Sequence, residues 1–235
     1  MNARIARASS SLTEQAYQDL RADLLACRIA PGERLKISDM AVQRGVSLGA
    51  IREALARLSS DGLVINEPQR GFRAAPLSAD QLRDLTEVRV HIEGMCLRRA
   101  IEIGDVAWES RLVAAFHRLV RTAKREPADP RRMNDLWSAV HEEFHEALVS
   151  ACDSPTLNQI RRQLYAQSER YRRLSLPLAE FDRDLDGEHR AMLDAALGKR
   201  ADEAVRLMSE HLEETTAILL SAGSSLASQQ APDPT

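Results

Sequence analysis

PGERLKISDMAVQRGVSLGAIREALARLSSDGLVINEPQRGF, from Pro31 to Phe72, decides how the first third of the chain folds. Lys36 to Arg44 read as a short helix. Gly45-Val46-Ser47 read as a tight turn, with Ser47 placed to accept from free N–H groups as an N-cap. Leu48 to Ser60 read as a second helix with Ile51, Leu55 and Leu58 on its inner face. Two helices joined by a glycine-containing turn make a helix-turn-helix unit, which lays its second helix in the major groove of DNA. Asp61-Gly62 stops that helix. Leu63-Val64-Ile65 and Phe72-Arg73-Ala74 read as two short strands around a turn from Pro68 to Gly71. The hairpin forms a small two-stranded wing and sets Arg70 and Arg73 beside the second helix, within reach of a phosphate or a minor groove.

Working outward, residues 13 to 76 resemble the winged helix-turn-helix domain of GntR-family bacterial transcription regulators. The resemblance is carried by Pro31-Gly32-Glu33-Arg34-Leu35, Val46-Ser47, Arg52-Glu53-Ala54-Leu55, Arg57-Leu58, Asp61-Gly62-Leu63-Val64 and Arg70-Gly71. It implies duplex-DNA binding through Ser47, Gly49 and Arg52 of the second helix and Arg70-Gly71 of the wing. The chain departs from the family at one informative place. Many members enter the second helix with Ser-Arg-Thr-Pro, and Ser47-Leu48-Gly49-Ala50 stands here, so an arginine expected on a base edge is missing.

Composition agrees with a mainly helical protein of two parts. The 235 residues can hold one large domain or two smaller ones. Hydrophobic residues at 44% suffice for real cores, and aromatics at only 4% favour helices over sheets. Net charge is −3 and unevenly spread: residues 1–76 carry 11 Lys+Arg against 8 Asp+Glu, whereas the remainder is acidic, 21 against 27. A basic first part on an acidic second part fits nucleic-acid binding at one end. Cys27, Cys96 and Cys152 are too few and too scattered for a disulfide framework. No stretch reads as a signal peptide, and no apolar run approaches the roughly 18 residues of a membrane span. The expected location is the bacterial cytoplasm.

From Leu77 onward the pattern is helical. Leu82, Leu85, Val88, Ile92, Met95 and Cys96 give one stripe. Val106 to Arg125 form a second helix, ended by Pro127 and Pro130. Met133, Leu136, Trp137, Val140, Phe144 and Leu148 mark a third. Ser154-Pro155 opens a fourth, which passes Leu164 and Tyr171 and breaks by Pro177. A fifth carries Phe181, Leu185, Met192, Leu193 and Leu197 and stops at Gly198; the last carries Ala204 to Leu219. Six helices with short connections imply an antiparallel bundle over residues 77–224. Residues 1–12 and 225–235 read as disordered tails.

Four of the six histidines fall on inward stripes of that bundle. His141 and His145 are four apart and share a helix face; His189 follows Leu185 by four, and His211 follows Leu207 by four. Imidazoles converging in a bundle core can hold a divalent metal such as zinc or nickel. His91 and His117 lack such company. Residues 78–224 resemble the all-helical FCD effector-binding domain carried by the FadR-like branch of GntR regulators, through Phe144-His145-Glu146-Ala147-Leu148, Glu188-His189 and His211. Position 141, commonly Asp in that family, is His here. The resemblance implies a metal held by His145, His189 and His211, with His141 as a further ligand, and a small organic acid beside it. Arg89, at the edge of an inward stripe, is the candidate to grasp that acid; an ion pair with Glu93 is the alternative use of the same side chain. With neutral imidazoles required for ligation, metal affinity is expected to fall below about pH 6.5.

His141-Glu142-Glu143-Phe144-His145 also spells H-E-x-x-H, the zinc-protease motif with Glu142 as base, but the region offers no downstream histidine extension and no strand pattern. The sequence therefore reads as a non-enzymatic, dimeric transcription regulator with an effector-binding helical domain. A zinc metallohydrolase, and a metal- or metabolite-binding module that does not meet DNA, are the alternatives.

Overall fold

The computed structural model describes residues 2–129, 133–175 and 183–227. They divide into two compact units, one of residues 1–78 with 166–171, the other of residues 79–165 with 172–235.

The first unit holds α1 (Asn2–Leu25), β1 (Arg34–Leu35), α2 (Ile37–Arg44), α3 (Leu48–Ser60), β2 (Val64–Glu67) and β3 (Gly71–Ala74). Gly45 closes α2 in the left-handed region at φ 63, and Ser47 caps α3 by accepting from the Ala50 N–H at 3.1 Å. These two residues set the helix-turn-helix angle. Ile51, Leu55 and Leu58 are fully buried, as the spacing predicts, and pack with Leu20 and Leu24 of α1. The wing is larger than expected. A third strand, Arg34–Leu35, pairs antiparallel with β3, giving the order β1-β3-β2. Two residues are too short for an alternation signal, and only the pairing reveals the strand. α1 begins at Asn2, so most of the segment expected as an N-terminal tail is helical; its Ala and Arg content favours that.

The second unit holds α4 (Ala79–Ile103), α5 (Val106–Arg121), α6 (Asp135–Val149), α7 (Pro155–Ser175, in part), α8 (Leu185–Leu197) and α9 (Ala201–Ala227). α4 runs along α9 and meets α6, while α5 packs on α6 and α8. Caps fix the starts. Asp105 accepts from the Trp108 N–H at 2.8 Å, Asn134 from Leu136 at 2.9 Å and Asp184 from Gly187 at 2.9 Å. The core centres on Trp108, Phe116, Trp137 and Phe144; the Trp108 indole donates to the Ala147 carbonyl at 2.9 Å.

Several expectations change. The helix from Val106 ends at Arg121, because Thr122 turns extended and Arg125 bridges to Met133 instead. Val88 and Met95 of α4 and Leu136 of α6 are exposed at 43%, 54% and 62%, on the margins of their stripes. The expected breaks at Pro130 and Pro177, the fifth-helix residue Phe181 and residues 228–235 lie outside the described residues.

Candidate functional site

α6 brings His141 and His145 to the bundle interior, α8 brings His189 and α9 brings His211. All four are buried, and one ring nitrogen from each lies within 4.8 Å of the others. The Nε2 atoms of His141 and His145 face each other at 3.2 Å. Two ligands on a tetrahedral zinc with bonds of 2.0–2.1 Å sit about 3.4 Å apart, so this spacing suits a shared cation. The His189 and His211 ring centres are 4.9 Å apart, and His141 and His189 meet at 5.1 Å.

Ring nitrogens without partners make the stronger point. Among the described residues Nδ1 of His145 is buried with no hydrogen-bond partner, and neither nitrogen of His189, whose ring feels the Leu185 backbone, has a partner at hydrogen-bond geometry. Each such atom costs roughly 1–3 kcal/mol when left unsatisfied. By contrast His141 Nδ1 reaches the Tyr165 hydroxyl at 3.2 Å, and His211 Nδ1 meets Glu188 Oε2 at 2.7 Å. A carboxylate on the outer nitrogen fixes the tautomer and leaves Nε2 free to ligate, the usual outer shell of a metal-binding histidine. The residues present thus fit a divalent cation.

Arginines ring the cluster. Arg183 grips both oxygens of Glu188, each at 2.6 Å, and donates to the His211 carbonyl at 2.9 Å. Burial works to raise the Glu188 carboxyl, but hydrogen bonds from His211 and Arg183 overcome it and hold it at about 2. Arg172 lies over the Trp137 ring and donates to the Ser138 hydroxyl at 3.2 Å. Arg89 is buried and donates from Nε and Nη2 to one oxygen of Glu93, both at 3.3 Å. The other Glu93 oxygen accepts from Arg161 at 2.9 Å, and Arg161 also reaches Glu146 at 2.5 Å. The ion pair that competes with an effector role for Arg89 is therefore formed, although its contacts are long.

Arg183, Arg161 and Tyr165 carry no expected role from the sequence, and Glu188 enters it only as the neighbour of His189 in the Glu188-His189 pair. Glu188 pairs with His211 across 23 residues, and no helical period links two helices. Glu142 of the H-E-x-x-H string is exposed, and Glu143 pairs with Arg118 at 3.0 Å, so neither faces the histidines. His91 is exposed and bonds the Glu87 carbonyl at 2.8 Å; His117 is exposed.

On the N-terminal unit, Ser47, Gly49, Arg52, Arg70 and Gly71 are all exposed. Among the described residues Arg52 has no side-chain partner. Gly71 turns the wing at φ +86 with open space around it. Two other arginines are committed internally. Arg57 bonds Glu14 at 2.8 Å and lies 3.9 Å over the Tyr17 ring; Arg73 bonds Glu67 at 3.2 Å and the Gly32 carbonyl at 2.8 Å.

Comparison with known proteins bears on both units. The FCD domain matches residues 84–214, and the family of bacterial regulatory proteins, gntR family, matches residues 12–73. The chain is 38% identical to the HTH-type transcriptional regulator BphR of Paraburkholderia xenovorans (strain LB400), over 91% of this chain and 87% of that protein. It is 32% identical to the HTH-type transcriptional repressor GlaR of Escherichia coli (strain K12), over 83% and 90%. The structure of E. coli McbR/YncC superposes with a TM-score of 0.73 over 89% of this chain and 97% of that one, at 24% identity, a likeness of fold. The families and relatives are transcriptional regulators, not enzymes. No helix among the described residues is long and apolar enough to cross a membrane.

The buried imidazoles set a pH dependence. Burial, reinforced by neighbouring histidines and arginines, pushes His141, His145 and His189 well below 6.5; burial also lowers His211, against the opposing pull of Glu188. In the unfolded chain they take protons near 6.5. Below that pH the unfolded state binds more protons, so stability is intact above about 6.5 and is lost as pH falls toward the folded values. Urea midpoints of chelator-treated protein should drop between pH 7 and pH 5, by up to roughly 1.4 kcal/mol per pH unit for each histidine. The folded protein should keep its metal affinity below pH 6.5, lower than the sequence alone suggests. A flat urea profile would contradict this.

Proposed function

The chain belongs to the gntR family of bacterial regulatory proteins and carries an FCD domain, and on that premise we propose that it is a metabolite-responsive cytoplasmic regulator that reads a pseudo-palindromic operator as a dimer. The observation that carries the effector half of this reading is the four-histidine cluster with its unpartnered ring nitrogens.

At the DNA, α3 enters the major groove from its N-terminal end, so Ser47, Gly49 and Arg52 meet base edges or phosphates while Arg70 and Gly71 of the wing meet the backbone. The exposure of these residues and the uncommitted guanidinium of Arg52 support the assignment. One helix-turn-helix covers too little DNA for tight specific binding, and a twofold dimer doubles the contact.

In the helical domain, His141, His145, His189 and His211 hold one divalent cation. Nitrogen donors alone favour zinc or nickel over magnesium or manganese. When bound, the cation supplies a Lewis-acidic centre that attracts an anion. The four imidazoles are neutral, so the ligand set itself brings no charge to balance it, and a small organic acid suits the site. Arg89 takes the acid's carboxylate, exchanging its long contacts to Glu93 for a paired one. Glu188, braced by Arg183, positions His211. To switch the operator, the acid must bind one dimer arrangement better than another; equal affinity for both changes nothing.

Three measurements test this. In a fluorescence-anisotropy titration, Arg52→Ala should weaken operator binding by about 1–3 kcal/mol; wild-type affinity would remove Arg52 from the interface. Sedimentation at micromolar concentration should show a dimer, and a lone 26.2 kDa species would refute it. Elemental analysis should find one zinc or nickel per chain, and His189→Ala should abolish metal-dependent thermal stabilisation and effector response; if neither changes and no metal is taken up, the histidines are ordinary core residues.

A further inference from the structure

Leu48 occupies the first position of α3, directly after the Ser47 cap, and is 52% exposed. It stands outside the N-terminal core cluster, which takes in Val46 and Ile37 as partly buried members. Arg52 follows four residues later on the same side of the helix. Gly49 lies between them. Its φ is not left-handed, and a Cβ added there would meet only the Ser47 Oγ at 3.7 Å, an ordinary contact. Among the described residues nothing requires glycine at this position, where a Cβ would fit. A bare Cα leaves room for the close approach of an outside surface.

The major groove offers one apolar group, the C5-methyl of thymine; every other base edge presents donors or acceptors. A leucine pressed on those edges would strip them of water without replacing their hydrogen bonds. We infer that Leu48 determines specificity at the operator by packing on a thymine methyl, with Gly49 letting the first turn of α3 come close to the base edges. The inference rests on the reading that α3 enters the major groove. It also gives a function to the position where the family's usual arginine is absent.

The test uses full-length protein and a duplex enriched by it from a randomised pool. Each thymine of the half-site is replaced in turn by deoxyuridine, which removes the methyl alone. One thymine per half-site should stand out, its replacement weakening wild-type binding about fourfold, the equivalent of about 0.8 kcal/mol for one buried methyl-sized group. Leu48→Ala should lose this discrimination, and Leu48→Arg should enrich guanine at that position. Indifference of the wild-type protein to every thymine-to-uracil change would overturn the inference, as would full discrimination by Leu48→Ala. The uracil arm needs no variant to fold. If Arg52→Ala weakens binding while uracil has no effect, Leu48 alone is misassigned; if Arg52→Ala also binds normally, the placement of α3 fails.

Discussion

Four imidazoles buried in one bundle core constrain most of the C-terminal domain. Each ring carries two polar nitrogens that water can no longer reach, and among the described residues three of these eight atoms have no partner at hydrogen-bond geometry. Such a core is poor if empty and good if a cation sits in it. The histidines come from α6, α8 and α9, so whatever satisfies them also ties three helices together. Burial keeps the rings neutral, the only form that could ligate a cation.

Around this neutral centre the charges are arranged in pairs of unequal strength. Arg183 and Glu188 form a short, two-pronged pair that also holds His211. Arg161 is shared by Glu93 and Glu146. Arg89 has the longest ion-pair contacts of the three, two to a single oxygen of a glutamate already engaged by Arg161, and lies 4.9 Å over the Tyr165 ring. Long contacts are weaker than short, two-pronged ones, so Arg183 is held more firmly by its carboxylate than Arg89 is.

The N-terminal unit sorts its arginines in a similar way. Arg57 is held by Glu14 and Tyr17, and Arg73 by Glu67 and a backbone carbonyl, so both stiffen the scaffold. Arg52 and the tip of the wing are left facing outward. The outward face of α3 is chemically mixed: an apolar Leu48, a bare Gly49 and a charged Arg52.

The mainly helical class, the helix-turn-helix with its wing and the inward direction of the four histidines are legible in the residues. These features have short-range causes: a capping serine, a left-handed glycine and the 3.6-residue period that stacks His141 over His145. The exposure of Val88, Met95 and Leu136 is not legible there, because a stripe's margin is as apolar as its centre and only packing separates them. Nor is β1, whose two residues have no pattern without their partner strand. Which groups meet across helices emerges only when the helices pack. Glu188 meets His211, Arg161 meets Glu93 and Tyr165 meets His141, since a hydrogen bond between helices depends on their axial register, and periodicity within one helix leaves that register undetermined.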